Sequence, residues 1–304
     1  IGANGSAWVI SISDSRDSSS MAMKLTTTTG TPHLGNYVGA IRPAIAASRR
    51  ADVDAFFFMA DYHALIKSDD PARIERSRLE IAATWLAAGL DPARVVFYRQ
   101  SDIPEIPELT WLLTCVTAKG QMNRAHAYKA AVDAAVAAGE EPDAHVSMGL
   151  FSYPVLMAAD ILMFNAHKVP VGKDQVQHIE MARDVAQRFN HLYGEVFPEP
   201  QPLLTPMPRL PGPDRRKMSK SYGNTIELGH DQTEINAKVM QMFTDPKKIH
   251  LGDKGNPDHC VVFAFHQSFN QPLVPEVDRG CRDGTRGCVE CKRSLQAPMW
   301  ERTK

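Results

Sequence analysis

The chain has 304 residues, of which 43% are hydrophobic, and its formal net charge at pH 7 is −1. The hydrophobic content supports a sizeable core and argues against a disordered chain, and the near-neutral charge argues against a DNA-binding protein with a global basic field. No apolar run approaches the roughly 18 residues of a membrane helix, and we expect neither a membrane partner nor a secretory signal.

Strand and helix patterns alternate after a short, irregular leader. Residues 1–21 are rich in Ser, Asp and Gly and have little periodicity, so we predict a disordered or non-native leader there. The apolar patterns that follow predict buried strands at 55–61 and 94–102, a short strand at 167–172, and helices at 72–90 and 174–190. This order predicts βαβ units, and therefore an α/β fold with a doubly wound, Rossmann-like parallel sheet.

The last third of the chain differs in character. The stretch 206–224 is dense in Pro, Gly and basic residues, which predicts a long surface loop. Apolar positions at helical spacing resume at 231–245. We therefore predict a catalytic domain at 22–224 and a mainly helical domain at 225–304.

The segment TTTTGTPHLGNY has the features of a phosphate-binding helix start. Gly30 permits a tight turn. Thr31 is a good N-cap and Pro32 suits the first helical position, so a helix should start near His33. Its free N–H groups and positive dipole end would attract a phosphate, with His33 and Asn36 as donors on one face. The alternative is an ordinary capped helix with an exposed histidine.

A second polar cluster lies in KMSKSYGN, residues 217–224. Lys217 and Lys220 supply point charges that can attract an anionic group. Ser219 and Ser221 supply hydroxyl donors, so this loop could close over a phosphate. The alternative is a solvated basic loop.

The segment FSYPVLMAADILMF, residues 151–164, reads as a buried helix. Tyr153, Met157 and Asp160 share one of its faces. Tyr153 and Met157 could be plain core residues, but a carboxylate inside an apolar helix is costly unless something pairs with it, and a ligand N–H would serve. His63 directly follows the strand at 55–61, where a ligand-binding residue is expected in a parallel sheet.

Four of the five cysteines follow the pattern C-x20-C-x6-C-x2-C in the last third of the chain. Their clustering in a long chain favours a reducing compartment and metal or redox chemistry over a disulfide framework. Four thiolates suit Zn²⁺ and an iron–sulfur cluster about equally, and metal-free thiols are the alternative. The fifth, Cys115, lies on an apolar helix and is predicted to be a buried small hydrophobe.

Together these segments resemble the two signature motifs of the class I aminoacyl-tRNA synthetases. HLGN is similar to their HIGH motif, KMSKS matches theirs letter for letter, and the order and separation of the two motifs fit. The helix at 151–164 resembles that of bacterial tryptophanyl-tRNA synthetases, in which its Asp accepts the indole N–H. The cysteine spacing resembles a subset of those enzymes that hold a [4Fe–4S] cluster.

The resemblance implies ATP-dependent ligation of L-tryptophan to tRNA(Trp) through a tryptophanyl-adenylate, by a cytoplasmic homodimer that uses Mg²⁺ with ATP. It assigns catalysis to His33, Asn36, Lys217 and Lys220. It places ATP against Thr29, Gly30, Gly35, Asn36, Gly172, Lys173, Asp174, Leu210, Lys217, Met218, Ser219, Lys220 and Ser221. It places tryptophan against His63, Tyr153, Met157, Asp160 and Gln175. The [4Fe–4S] cluster, or alternatively Zn²⁺, would be held by Cys260, Cys281, Cys288 and Cys291.

Two stretches depart from the family pattern. The strand MAMKLTTTTG, residues 21–30, has Met, Lys and Leu where the family has a Gly and an aromatic or small residue near the indole. The helices that follow the cysteine segment in the family do not appear before Lys304, so the helical domain is predicted to be partial. The alternatives are a tyrosine-specific homologue, which Met157 disfavours, and a truncated synthetase-like binding module that no longer charges tRNA.

Overall fold

A six-stranded sheet forms the centre of one of two compact units. The computed structural model describes residues 10–13, 20–27, 31–51, 53–66, 69–171, 175–204 and 210–303. Contacts group Ile1–Gly30 with Pro43–Met207 in the first unit, and Thr31–Arg42 with Pro208–Lys304 in the second. The segment that begins at Thr31 and the loop 217–224 therefore belong to the same unit.

The sheet is mostly parallel. Its strands are β1 (Ile10–Ser13), β2 (Ser20–Thr27), β3 (Val53–Ala60), β4 (Val95–Arg99), β5 (Lys168–Val171) and β6 (Gln201–Leu204). Their order is β4-β3-β2-β1-β5-β6. The pairs β2–β3, β3–β4 and β5–β6 are parallel, whereas β1 is antiparallel to both β2 and β5. The predicted α/β fold with a parallel sheet is confirmed, with one antiparallel strand in it.

The stretch predicted as a leader lies partly in this sheet. Ile10–Ser13 pairs with β2, and β2 itself begins at Ser20. The other residues before Ser20 lie outside the described residues. The leader at 1–21 and the domain boundary at residue 224 stay predictions.

Helices alternate with strands along the chain, as the sequence pattern predicts. In chain order they are α1 (Leu34–Asn36), α2 (Arg42–Ser48), α3 (Asp61–Ala64), α4 (Pro71–Ala87), α5 (Glu105–Val116), α6 (Lys119–Met122), α7 (His126–Ala137), α8 (Met148–Leu162), α9 (Val176–Tyr193), α10 (Gln232–Gln241), α11 (Val261–Phe269), α12 (Val274–Asp283) and α13 (Cys288–Thr303). A π-helical stretch, Tyr37–Ile41, joins α1 to α2. Asp70 caps α4 by accepting hydrogen bonds from the Ala72 and Arg73 N–H groups.

Each unit has its own apolar core. In the first, fully buried side chains of α5, α8 and α9 pack together, among them Leu113, Leu162 and Ile179. In the second, α10 and α11 pack against α13, and Leu34 joins that core from α1. Across the ranges that the structure describes, no helix is long and apolar enough to cross a membrane.

Candidate active site

His33 caps the first helix of the second unit. Its Nδ1 accepts a hydrogen bond from the Asn36 N–H at 3.3 Å, and its own N–H donates to Asn36 Oδ1 at 3.0 Å. The predicted N-cap, Thr31, is therefore wrong, because the helix starts only after this reciprocal pair closes. A neutral imidazole whose Nδ1 accepts carries its proton on Nε2, which makes Nε2 a donor.

The two lysines of the loop 217–224 act on the same histidine. The pKa of His33 is lowered to about 4, first by burial and then by the charges of Lys220 and Lys217. The ring is therefore neutral at pH 7. The structure thus brings together three of the four residues predicted to be catalytic, and the fourth, Asn36, is the capping partner of His33.

Backbone contacts tie the two motifs into one body. The Leu34 N–H donates to the Ile226 carbonyl at 2.8 Å, and the Leu228 N–H donates to the Pro32 carbonyl at 3.0 Å. The Gly35 N–H lies 3.3 Å from the sulfur of Met218. These contacts place the loop of the lysines directly beside the helix start.

Gly35 is required by close approach. A Cβ at this position would lie 2.9 Å from His33 Cε1 and 3.5 Å from Met218 Cβ. A side chain would therefore displace the capping imidazole. The predicted approach of a nucleotide to Gly35 stays a prediction.

Asn224 organises the lysine loop and was missed by sequence reasoning. It is buried, and its Oδ1 accepts from the Ser219 N–H at 2.8 Å. Its Nδ2 donates to Asp214 Oδ1 at 2.7 Å and to the Lys217 carbonyl at 3.0 Å. One amide thus fixes both ends of the loop, and nothing but its place after KMSKS marks it in the sequence.

A second polar centre lies in the first unit, around Asp160. This side chain is 2% exposed, and its Oδ2 lies 2.9 Å from His63 Nε2. Gln100 Nε2 donates to both carboxylate oxygens, at 2.8 and 3.0 Å. Burial raises the pKa of Asp160, and the hydrogen bonds from His63 and Gln100 oppose that rise. Groups of the protein therefore already pair this carboxylate, a task the sequence assigned to a ligand.

Tyr153 joins the same centre from α8. Its ring meets His63 edge-on, with centroids 6.2 Å apart, and its hydroxyl lies 2.7 Å from His178 Nε2. Burial raises its pKa to about 12, so the phenol is neutral at pH 7. Met157 is buried on the same helix. His178 and Gln100 were missed, since a lone polar residue in a helix or turn has no motif around it.

The remaining predicted residues fall in several places. Gln175 is the N-cap of α9 and is partly buried. Leu210 is buried in the core of the second unit. The predicted ATP contacts that lie outside the described residues are Thr29, Gly30, Gly172, Lys173 and Asp174.

The four clustered cysteines line one cavity of the second unit. Burial raises the pKa of the Cys291 thiol to about 12, and the pKa values of Cys260 and Cys281 are also raised, first by burial. As free thiols, Cys260, Cys281 and Cys291 are therefore neutral at pH 7. Among the residues that the structure describes, no group of three or more His, Cys, Asp or Glu side chains is arranged to hold a metal ion.

Cys115 is exposed on α5, so its predicted burial is wrong. Trp111, one helical turn earlier on the same face, is 68% exposed, and Leu112 is 54% exposed. The apolar sequence of α5 therefore reflects two faces, only one of which the unit buries.

Comparison with known proteins gives consistent matches. The model of the family described as tRNA synthetases class I (W and Y) matches residues 22–302. The tryptophan–tRNA ligase of Bordetella pertussis is 76% identical over 285 residues, which are 91% of this chain and 63% of that protein. The tryptophan–tRNA ligase of Pseudomonas syringae pv. tomato is 65% identical over 250 residues, 81% of this chain and 55% of that protein. The chain thus spans little more than half the length of these curated relatives.

Solved structures match over more of their length. The crystal structure of tryptophanyl-tRNA synthetase from Campylobacter jejuni, complexed with ADP and tryptophan, is similar at 35% identity with a TM-score of 0.79. The match covers 93% of this chain and 86% of that chain. Tyrosyl-tRNA synthetase from Archaeoglobus fulgidus, at 17% identity and a TM-score of 0.67, shares the fold.

Proposed function

Because the chain belongs to the class I tRNA synthetases of the tryptophan and tyrosine family, we propose that it ligates L-tryptophan to tRNA(Trp) at the expense of ATP. The observation that carries the choice of tryptophan is the buried carboxylate of Asp160, held by His63 and Gln100. A buried carboxylate that is fixed in this way is an acceptor that suits a ring N–H. A site built on such a hydrogen bond can reject analogues that lack the donor by about 10⁴-fold.

In the first step the tryptophan carboxylate attacks the α-phosphate of ATP. A carboxylate–phosphorus bond forms, the bond to the bridging oxygen breaks, and pyrophosphate leaves. Lys217 and Lys220 stabilise the charge that builds up on the leaving group, and neutral His33 donates from Nε2 to a phosphate oxygen. Mg²⁺ accompanies the ATP phosphates and needs no dedicated protein cage.

In the second step the terminal ribose hydroxyl of tRNA attacks the activated carbonyl. An ester to tRNA forms, AMP leaves with the bonding electrons, and the proton of the hydroxyl passes to the departing phosphate of AMP. The protein forms no covalent intermediate in either step, so its contribution is positioning and charge stabilisation.

Pyrophosphate exchange with single amino acids tests this function. Exchange of labelled pyrophosphate into ATP should be supported by tryptophan and not by tyrosine. Exchange with tyrosine alone would identify the tyrosine-specific homologue, and exchange with neither would leave a binding module. Exchange without charging of tRNA(Trp) would mean that this chain lacks what the second step needs.

The four cysteines are proposed to hold a metal centre, a [4Fe–4S] cluster or alternatively Zn²⁺. The four thiols line one cavity, and this soft donor set suits both. Lys248, which is 7% exposed, and Arg286 line the same cavity, so two cations face the negative charge that four thiolates would bring. The centre would brace α11, α12 and α13, and binding would be coupled to folding.

Absorbance and elemental analysis separate the two metals. An anaerobic preparation is expected to be brown, with a broad band near ~400 nm. One equivalent of zinc without iron would identify the metal as Zn²⁺ instead of a [4Fe–4S] cluster. A chain with neither metal would refute the proposed metal centre.

A homodimer is proposed on the exposed apolar face of α5. Trp111, Leu112 and Cys115 present a contiguous surface that a single chain leaves in water. Light scattering should give twice the mass of the chain, and Trp111→Glu should shift it to the monomer. A monomeric wild type at micromolar concentration would contradict this assembly.

A further inference from the structure

Gln100 is a buried residue of the first unit that is not among the residues predicted to bind tryptophan. It follows β4 directly, begins the 3₁₀ turn Gln100–Asp102, and is 0% exposed. β4 pairs in parallel with β3, whose carboxyl end leads into α3 and His63. Two neighbouring strands therefore each deliver one side chain to the carboxylate of Asp160 on α8.

The amide of Gln100 contacts both oxygens of that carboxylate. Its Nε2 lies 2.8 Å from Oδ1 and 3.0 Å from Oδ2 of Asp160. A carboxylate can only accept hydrogen bonds, so the amide nitrogen must be the end that faces it. The orientation of the amide is therefore fixed by its partner.

In the described part of the chain, the amide oxygen of Gln100 lacks a partner, in contrast to the amide nitrogen. Oε1 of Gln100 is buried and has no hydrogen-bond partner within the described residues. Leaving a buried acceptor unpaired costs stability. The fold tolerates this cost while keeping the donating nitrogen on Asp160.

His63 and Gln100 are not equivalent donors. An imidazole donates from Nε2 only in one tautomer or when protonated, whereas a primary amide donates in every state of its surroundings. Gln100 is therefore the constant donor to Asp160, and His63 is the conditional one.

We propose that Gln100 is a positioning residue for amino-acid specificity, which holds the Asp160 carboxylate in the orientation that accepts a ring N–H. This inference rests on the proposed function, because it takes tryptophan as the substrate. Gln100 acts through Asp160 and need not touch the substrate. Loss of Gln100 should therefore reduce the preference for a ligand with a ring N–H, and should not reduce the affinity for the rest of the amino acid.

Tyr98, on the strand β4 that precedes Gln100, provides a matched control. Its buried hydroxyl has no hydrogen-bond partner in the part of the chain that the structure describes, and it lies close enough to Asp160 for that charge to help raise its pKa. Tyr98→Phe therefore removes a buried polar atom next to the same carboxylate without removing a donor that holds it.

A pair of ligands tests the role of Gln100. Dissociation constants are measured for tryptophan and for its benzothiophene analogue, in which sulfur replaces the ring N–H. The wild-type chain is expected to prefer tryptophan, and Gln100→Met, similar in length but without a donor, should reduce that preference about tenfold or more. Tyr98→Phe should keep the wild-type preference, and ATP affinity should stay unchanged in both variants.

The outcomes separate the possible explanations. An equal loss of affinity for both ligands in Gln100→Met, or an equal loss of preference in Tyr98→Phe, overturns the proposal because either result reflects pocket packing alone. If Gln100→Met does not fold, Gln100→Asn decides, since it withdraws the same amide by one methylene; a full wild-type preference in that variant overturns the proposal. A wild-type chain that binds no tryptophan overturns the proposed function as well, whereas normal tryptophan binding with an unchanged preference overturns only the role of Gln100.

Discussion

The second unit carries a cationic site, and the first unit carries an anionic one. Burial, Lys220 and Lys217 together lower the pKa of His33 to about 4, so this site combines positive charge with a neutral hydrogen-bond donor. Around Asp160 the balance is reversed, because burial raises the pKa of the carboxylate while His63 and Gln100 oppose the rise. One site is suited to negative charge spread over several oxygens, and the other is suited to a single N–H.

The two sites also differ in how they are held. The cationic site depends on local contacts, a cap closed over three residues and a loop closed over five by Asn224. The anionic site joins residues that are 60 and 97 positions apart in the chain. Substitutions should therefore act on nucleotide chemistry and on amino-acid recognition separately.

The largest effect is expected from the anionic site. Asp160→Asn replaces the acceptor by an amide that can turn its NH₂ toward the ring N–H, so kcat/KM for tryptophan should fall about 10³-fold or more. The dissociation constant of ATP should stay within a factor of about two. Pyrophosphate exchange and direct ATP binding measure these quantities. A loss of kcat/KM below about tenfold would contradict the role of Asp160 as the acceptor of the ring N–H.

The cationic site should show the opposite pattern. If Lys220 stabilises the leaving pyrophosphate as proposed, Lys220→Ala should slow adenylate formation about 10²- to 10³-fold with tryptophan affinity unchanged. Single-turnover kinetics measure the step. Lys254→Ala removes an exposed lysine of the same unit and should leave the rate unaltered. Equal losses in rate and tryptophan affinity would count against the role of Lys220.

The pH dependence of the free energy of unfolding tests the lowered pKa of His33. Its pKa is about 4 in the folded chain and 6.5 as the ordinary value, so the folded state binds fewer protons between these limits. The free energy of unfolding therefore falls as pH drops from about 6.5 toward 4, by about 3 kcal/mol at most. His33→Asn keeps an N-cap but does not titrate. Urea unfolding at pH 7 and pH 4.5 should show a smaller loss in the variant, and equal losses would contradict the pKa shift.

The smallest effect is expected from the loop clamp. Asn224→Ala removes the hydrogen bonds to Asp214, Lys217 and Ser219, which should cost about 1–3 kcal/mol of stability in the loop. KM for ATP should rise severalfold while the tryptophan affinity stays constant. A variant with unchanged KM for ATP would show that the loop keeps its conformation without this amide.

The same contrast explains what could be predicted from the sequence. HLGN and KMSKS are contiguous motifs that can be found in the sequence, and the structure places Lys217 and Lys220 close enough to His33 for their charges to lower its pKa. The N-cap was misplaced at Thr31, because a histidine that caps through Nδ1 is uncommon among capping residues.

The partners of Asp160 could not be predicted in the same way. Its place in an apolar helix marked it as costly, but the choice between a ligand and protein donors depends on which strand ends are adjacent. Gln100 lies in a turn without any motif, and only the pairing of β3 with β4 brings it beside His63. The exposure of Cys115 likewise depends on which face of α5 the unit covers.

A calorimetric comparison of two ligands and two variants tests whether the two sites act separately. Tryptophan and ATP are titrated separately into the wild-type chain, Asp160→Asn and Lys220→Ala. We predict that Asp160→Asn weakens the binding of tryptophan and not that of ATP. Lys220→Ala should leave tryptophan binding at the wild-type value. Parallel losses of both ligands in both variants would contradict two separable sites, one that reads an N–H and one that receives phosphate charge.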